Sequence, residues 1–183
     1  MNTDILIING SPRKNRNCFK ISEEISNKLN QNNISNKIFN IYDMNIEYCT
    51  ACGFCEKTGF CKFKDDMTPM YEMFDKAKGV IVISPVNFDC ITAKLKTLVD
   101  RTQAIYASKY ILKKPSIDRS KKRIGMYIAV GGSTPYETQF MGGQIVMLLP
   151  KWVISTMMES MTCGWTVVGN RKGGRPDLFL PKD

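Results

Sequence analysis

The sequence predicts an α/β fold, with residues 1–183 as one domain on a doubly wound, five-stranded parallel sheet of order 2-1-3-4-5. A cysteine-rich loop, residues 49–61, follows the second strand as an insertion. Three observations predict this. Short unbroken apolar runs, Asp4-Ile-Leu-Ile-Ile-Asn9 and Gly79-Val-Ile-Val-Ile-Ser84, are what strands covered on both faces require. They alternate with segments whose apolar residues recur at helical spacing, which calls for parallel strands joined by right-handed crossovers. The loops after Asn9, Ser84 and Val130 stand at the carboxyl ends of strands, where open α/β sheets bind ligands.

The first strand is Asp4–Asn9. Residues Asn15–Leu29 follow as a helix, with Phe19, Ile21, Ile25 and Leu29 on one face. Asn36–Tyr42 is the second strand, and the cysteine segment comes next. A helix over Thr68–Lys78 carries Pro69 in its first turn, where the missing N–H costs little. Gly79–Ser84 is the third strand; Ile91–Ala104 is a helix with Ile91, Leu95, Leu98 and Val99 on one face. Arg123–Val130 is the fourth strand, closed by Gly131-Gly132, and a long apolar helix is expected to start near Glu137. Trp165–Val168 is the fifth strand. Little chain follows it, so the usual closing helix is expected to be absent, with 171–183 an irregular tail. This arrangement is of flavodoxin type.

Composition excludes more than it selects. Histidine is absent, which removes Ser-His-Asp triads, Cys-His pairs and His-bearing zinc sites and leaves a bound cofactor to carry the chemistry. The N-terminus runs into a strand with no signal-peptide pattern, and the apolar stretch Gln139–Met161 is interrupted by Gly142, Gly143, Pro150, Lys151 and Glu159. A cytoplasmic protein with no membrane span is expected, with its thiols reduced. The net charge of +9 suits anionic partners, but the lysines and arginines are spread along the chain. Their densest group, Lys113 to Arg123, reads as a solvated loop leading into a strand. No nucleic-acid motif accompanies it.

Gly10-Ser-Pro-Arg-Lys-Asn-Arg-Asn-Cys18 joins the first strand to the first helix. Backbone N–H groups and a helix N-terminus there form an anion site, with Ser11, Arg13, Lys14, Asn15 and Asn17 as further donors. It is neither the dinucleotide fingerprint nor a P-loop, and a phosphate monoester fits it better. Ser84-Pro-Val-Asn-Phe-Asp-Cys90 offers an apolar and aromatic edge to a planar ligand, and Gly131-Gly132 permits close backbone approach.

Cys49, Cys52, Cys55 and Cys61 have the spacing C-x2-C-x2-C-x5-C, and Gly53 relieves a tight bend between them. Three thiols at intervals of three can wrap one face of a cubane while the fourth closes it. Four thiolates also suit zinc at about 2.3 Å each, and an empty or oxidised array is the third reading. Cys90 and Cys163 read as small buried residues. Asp65-Asp66 reads as a helix-dipole and loop-bonding pair rather than a metal site. Met157, Met158 and Met161 read as core or subunit contact.

Together, Gly10-Ser-Pro-Arg-Lys-Asn15, Ser84-Pro-Val-x-Phe88, Leu95-Lys96, Asp100-Arg101 and the Gly131-Gly132 turn resemble the flavodoxin-like NAD(P)H-dependent FMN reductases. The four cysteines followed by Asp65-Asp66-Met67 resemble the iron–sulfur flavoprotein branch of that family. The resemblance implies FMN, with Ser11, Arg13, Asn15 and Asn17 on its phosphate and Pro85, Val86, Asn87, Phe88, Gly131 and Gly132 at its ring. It implies a [4Fe–4S] cluster on the four cysteines, NAD(P)H or ferredoxin as redox partner, and a homo-oligomer, dimer or tetramer, in which one subunit's cluster approaches another's flavin. The chain departs from the family's usual residues at Arg16 (glycine), Cys18 (serine or threonine) and Asn87 (tyrosine); Cys18 leaves a weak thiol where a hydroxyl would donate to phosphate. The function implied is an FMN oxidoreductase passing electrons between cluster and flavin. Its competitors are a cluster-free FMN or quinone reductase and a flavodoxin-like carrier without turnover. A zinc-stabilised nucleic-acid module ranks last.

Overall fold

The structure is a computed structural model, which describes residues 3–132, 138–148, 166–169 and 177–179. Its strands are β1 (Ile5–Asn9), β2 (Asn36–Asn40), β3 (Gly79–Pro85), β4 (Ile124–Gly131), β5 (Thr166–Gly169) and β6 (Asp177–Phe179). The sheet order is β2-β1-β3-β4-β5-β6. Pairing is parallel from β2 through β5, so the five-strand order read from the sequence holds. Part of the tail expected to be irregular is ordered instead: Asp177–Phe179 pairs antiparallel with β5 and extends the sheet.

Six α-helices are described: α1 (Asn17–Gln31), α2 (Phe54–Thr58), α3 (Met67–Lys76), α4 (Ala93–Arg101), α5 (Gln103–Tyr106) and α6 (Met141–Leu148). β1 shows why two layers of helix are needed, because its buried side chains alternate between faces. Ile7 joins Ile83, Ile128 and Val130 under Cys18, Ile21, Ile25 and Leu29 of α1. Leu6 and Ile8 join Val80, Val82, Tyr127 and Ala129 under Met67, Met70 and Phe74 of α3 and Leu95 and Leu98 of α4. α6 packs on this second side through Val146 and Met147. Among the described residues no helix is long and apolar enough to cross a membrane.

Local chemistry moved several boundaries. α1 begins at Asn17 rather than Asn15, because Asn15 takes a left-handed backbone (φ 61°) and Arg16 is extended. α4 begins at Ala93 rather than Ile91, because the Thr92 side chain caps it, accepting from the Leu95 N–H at 3.4 Å. The helical path then runs on beyond Ala104 through α5 into a π turn at Ala107–Ile111. α6 is described from Met141; the start expected near Glu137 lies outside the described residues, as do Cys163, Met157, Met158 and Met161. Cys90 is half-buried against the core.

The basic stretch before β4 is not wholly solvated. Arg123 is buried, and its guanidinium donates to the Asp75 carboxylate (3.0 Å), the Asp75 carbonyl (2.6 Å) and the Asp118 carbonyl (2.7 Å). It anchors the loop before β4 to the end of α3.

The turn after β1 is packed at backbone distance. Gly10 N–H donates to the Ile83 carbonyl at 2.7 Å, and the Thr92 hydroxyl donates to the Gly10 carbonyl at 2.8 Å. A Cβ on Gly10 would lie 2.8 Å from Leu95 Cδ2 and 3.3 Å from the Ile83 carbonyl oxygen. Gly10→Ala is therefore expected to lower stability by about 1–3 kcal/mol through overpacking. Urea denaturation of the variant checks this.

Candidate functional site

Three loops distant in sequence meet at the carboxyl ends of β1, β3 and β4. They enclose a cavity of about 680 Å³ lined by Ser11, Pro12, Arg13, Arg16, Asn17, Cys18, Pro85, Val86, Asn87, Val130, Gly131 and Gly132. Nine of the residues singled out from the sequence stand together here: Ser11, Arg13, Asn17, Cys18, Pro85, Val86, Asn87, Gly131 and Gly132.

The cavity is built to receive an anion. Two arginines line it and, among the described residues, no carboxylate does. α1 opens beside it with no acidic residue in its first turn and no side-chain cap on Arg16, so the positive end of its dipole faces the anion site without a local counter-charge. The Asn9 side chain accepts from the Ser11 N–H at 3.0 Å, and the Ser11 hydroxyl accepts from the Arg13 N–H at 3.2 Å, which fixes the curl of the loop. Burial pushes the Cys18 thiol up to about 11, so it stays neutral beside the anion site. On the opposite wall the Val86 N–H donates to the Val130 carbonyl at 3.0 Å, locking two loops together. A Cβ on Gly132 would meet nothing within 4 Å among the described residues, which leaves backbone exposed to a ligand.

Lys14, Asn15 and Phe88 are placed elsewhere. Lys14 pairs with Asp43 at 2.8 Å, and Asn15 supplies the left-handed turn into α1. Phe88 points outward, at 104% of its reference exposure, instead of lying along the cavity. The reason is the tight turn Asn87–Cys90, closed by N–H to carbonyl bonds in both directions (2.9 and 3.0 Å), with Phe88 and Asp89 both at positive φ. That backbone turns the ring away from the pocket. Reading by residue type also passed over Pro12, Arg16 and Val130, although Arg16 carried a signal: a cation one residue before a helix, in a loop already read as an anion site.

The second site is the cysteine loop. It leaves β2 through a short 3₁₀ turn, Ile41–Asp43, and is closed at its base where Asn45 and Asp66 exchange hydrogen bonds of 2.6 and 3.1 Å. Two glycines shape it: Gly53 (φ 70°) turns the chain into α2, and Gly59 (φ 78°) ends that helix, its N–H donating to the Cys55 carbonyl at 2.8 Å. All four thiols line one cavity of about 300 Å³, with Asp100, Arg101, Gln103 and Ala104 as its other wall. Among the described residues no three thiols or carboxylates converge tightly enough to chelate a single ion.

The thiols are not equivalent. The Phe54 N–H lowers the Cys52 pKa, with help from Lys62, whereas burial raises that of Cys55 and charge on Cys49 and Cys61 raises it further. A cationic centre would relieve that repulsion, as metals do for clustered thiolates.

One ion pair fixes this loop to the sheet domain. Arg101, at the end of α4, is 1% exposed and Asp65 is 5% exposed; they meet through two hydrogen bonds of 2.6 and 3.0 Å. Arg101 also donates to the Glu47 carbonyl at 2.8 Å, its guanidinium stacks 5.2 Å from the Phe63 ring centre, and the Tyr71 hydroxyl donates to its carbonyl at 2.9 Å. Asp65 accepts from the Glu47 and Met67 N–H groups at 3.0 and 3.1 Å. The pair thus holds both ends of the loop, beyond the helix-dipole and loop-bonding role that the sequence assigns to Asp65.

This sheet, with an anion cavity at its switch point and a thiol-lined cavity beside α4, defines a flavodoxin-like domain of the reductase class. Residues 3–155 match the family profile described as NADPH-dependent FMN reductase, and the chain belongs to that family. An iron–sulfur flavoprotein of Archaeoglobus fulgidus is 34% identical over 128 residues, 70% of this chain and 62% of the relative. One from Methanocaldococcus jannaschii is 38% identical over 126 residues, 68% of this chain and 60% of the relative. The aligned chain thus spans less than two thirds of either relative's length. Among solved structures, azoreductase AzrA aligns with a TM-score of 0.65 at 12% identity, covering 91% of this chain and 87% of that one. An NAD(P)H:quinone oxidoreductase from Methanothermobacter marburgensis aligns at 0.61 and 15%, covering 96% and 87%. At such identity these two likenesses establish the fold.

Removing the Asp65 carboxylate leaves a buried guanidinium without its counter-charge. Asp65→Ala is expected to cost about 3 kcal/mol, at the low end for a buried pair because the pair adjoins a cavity. Burial acts to raise the Asp65 pKa, but the Arg101 bonds and the Glu47 N–H outweigh it and hold it below the usual carboxylate value. The contribution is therefore complete at neutral pH and is lost as pH falls below about 4. Denaturation of wild type and variant between neutral pH and acid checks this: the two curves should converge at the acid end.

Proposed function

We propose that the chain is an FMN-dependent oxidoreductase of the iron–sulfur flavoprotein kind, passing electrons between FMN at the strand-end cavity and a [4Fe–4S] cluster on Cys49, Cys52, Cys55 and Cys61. The observation that carries this reading is the meeting of three loops around one cavity that holds two arginines, a helix start without a side-chain cap and, among the described residues, no carboxylate. A phosphate monoester joined to a planar ring matches that division between a cationic and an apolar wall. FMN, when bound, supplies two-electron chemistry and an iron–sulfur cluster one-electron chemistry.

The chain's own residues position these groups and exclude water. Arg13 and Arg16 balance the phosphate charge, Asn17 and the α1 N–H groups donate to it, and Ser11 sets the loop's curvature. Pro85, Val86 and Asn87 form one side of the ring site, with the Gly131-Gly132 backbone as the other. Lys14, Asn15 and Phe88 are left out of these contacts. For the cysteines, a cubane takes thiolates at separate irons across its width, so it suits four thiols spread around a cavity; zinc needs them drawn to one point. That all four cysteines line one cavity supports a group held by the whole set.

NAD(P)H or ferredoxin is the proposed redox partner, and the cytoplasm the compartment that keeps the thiols reduced. A homo-oligomer in which one subunit's cluster faces another's flavin is the proposed assembly.

Anaerobically purified protein should contain stoichiometric FMN with iron and sulfide in equal amounts. Cys52→Ser should lose the iron and keep the flavin. A yellow protein free of iron after reconstitution would remove the cluster, and a protein that takes up no FMN would remove the reading itself.

Cys18 gives a sharper test of the phosphate position. Cys18→Ser replaces a weak neutral donor by a hydroxyl and should tighten FMN binding about fivefold, the worth of one ordinary hydrogen bond. Flavin fluorescence titration reads this directly; unchanged affinity would place the phosphate away from Cys18.

A further inference from the structure

We infer that Arg101 donates its Nε–H to a sulfur of the cluster and so raises the cluster's reduction potential. The inference rests on the cluster reading above and concerns one further residue of that site. Both terminal nitrogens of the guanidinium are engaged, by Asp65 and by the Glu47 carbonyl. Its Nε is buried and has no partner among the described residues. An unpaired buried donor is costly, and on a residue that lines a ligand cavity it points to a partner that arrives with the ligand.

Arg101 lines the cavity together with all four thiols. Arg123 provides the contrast. It too is buried on a carboxylate with its Nε unpaired, yet it lines neither cavity bounded by the cysteine loop. Placement, not the bonding pattern alone, distinguishes Arg101.

The electronic consequence follows from charge. A one-electron reduction makes the cluster more negative, and a donor and fixed cation at its sulfur stabilise that state more than the oxidised one. The neighbouring Asp65 offsets part of the long-range charge, which leaves the directed N–H as the main lever.

The test uses whole protein, reconstituted anaerobically, with iron, sulfide and FMN measured in every sample. In an EPR-monitored titration with dithionite as reductant, Arg101→Lys keeps a cation for Asp65 and removes the Nε–H. Its potential should fall by the equivalent of roughly tenfold in the one-electron equilibrium constant, about 59 mV. Asp65→Asn loosens the clamp but keeps the donor, and should leave the potential level or raise it. If both variants lower the potential alike, or Arg101→Lys leaves it unchanged, the inference is overturned. Should Arg101→Lys fail to load, wild-type protein grown on arginine carrying heavy nitrogen decides: pulsed EPR of the reduced cluster should show coupling to that nitrogen. A loaded cluster without the coupling overturns this inference alone, whereas wild-type protein that binds no iron overturns the cluster reading with it.

Discussion

A guanidinium withdrawn from water must meet its counter-charge where it lies, and Arg101 meets Asp65 across 36 residues of sequence. Around that contact the peculiar part of the molecule is assembled. The carboxylate gathers the N–H groups of Glu47 and Met67, one from each end of the cysteine loop, while the guanidinium takes the Glu47 carbonyl. A segment with little core of its own is thereby held to α3 and α4. Without the pair, glycine-jointed chain carrying four thiols would have little to fix its shape.

The remainder of the domain rests on a more general constraint. β1 is covered on both faces and paired on both edges, so binding is displaced to the strand ends. The two cavities use this differently. At the switch point the backbone does most of the work: a helix start, a glycine pair and a locked loop junction, with two arginines for charge. Beside α4 the side chains do it, through thiols on one wall and a buried cation on the other. The first is suited to a ligand recognised by shape and phosphate, the second to a polymetallic group recognised by sulfur.

Sequence legibility followed the range of the forces involved. β1 and β3 could be read because burial on both faces leaves an unbroken apolar run, and the cysteine loop because ligand spacing and Gly53 are local. The ends of α1 and α4 shifted by two residues because Asn15 and Thr92 act through backbone geometry and capping, which apolar spacing does not register. Arg123 read as surface, as most arginines are; its partner Asp75 lies 48 residues away. Phe88 stands away from the cavity for another reason. Its residue type suits a ring wall, but the turn around it sets the direction of the side chain. Arg101 stood in view within Asp100-Arg101, yet nothing in the sequence tied it to Asp65.

On this reading the ion pair shapes the cysteine loop before any cofactor is present. Hydrogen–deuterium exchange on protein stripped of metal and flavin tests it most directly, at the amides of Glu47 and Met67. Exchange far slower than in unstructured peptide is the result expected. Exchange at the peptide rate until iron is restored would mean that the cofactor orders the loop, and that the pair merely follows.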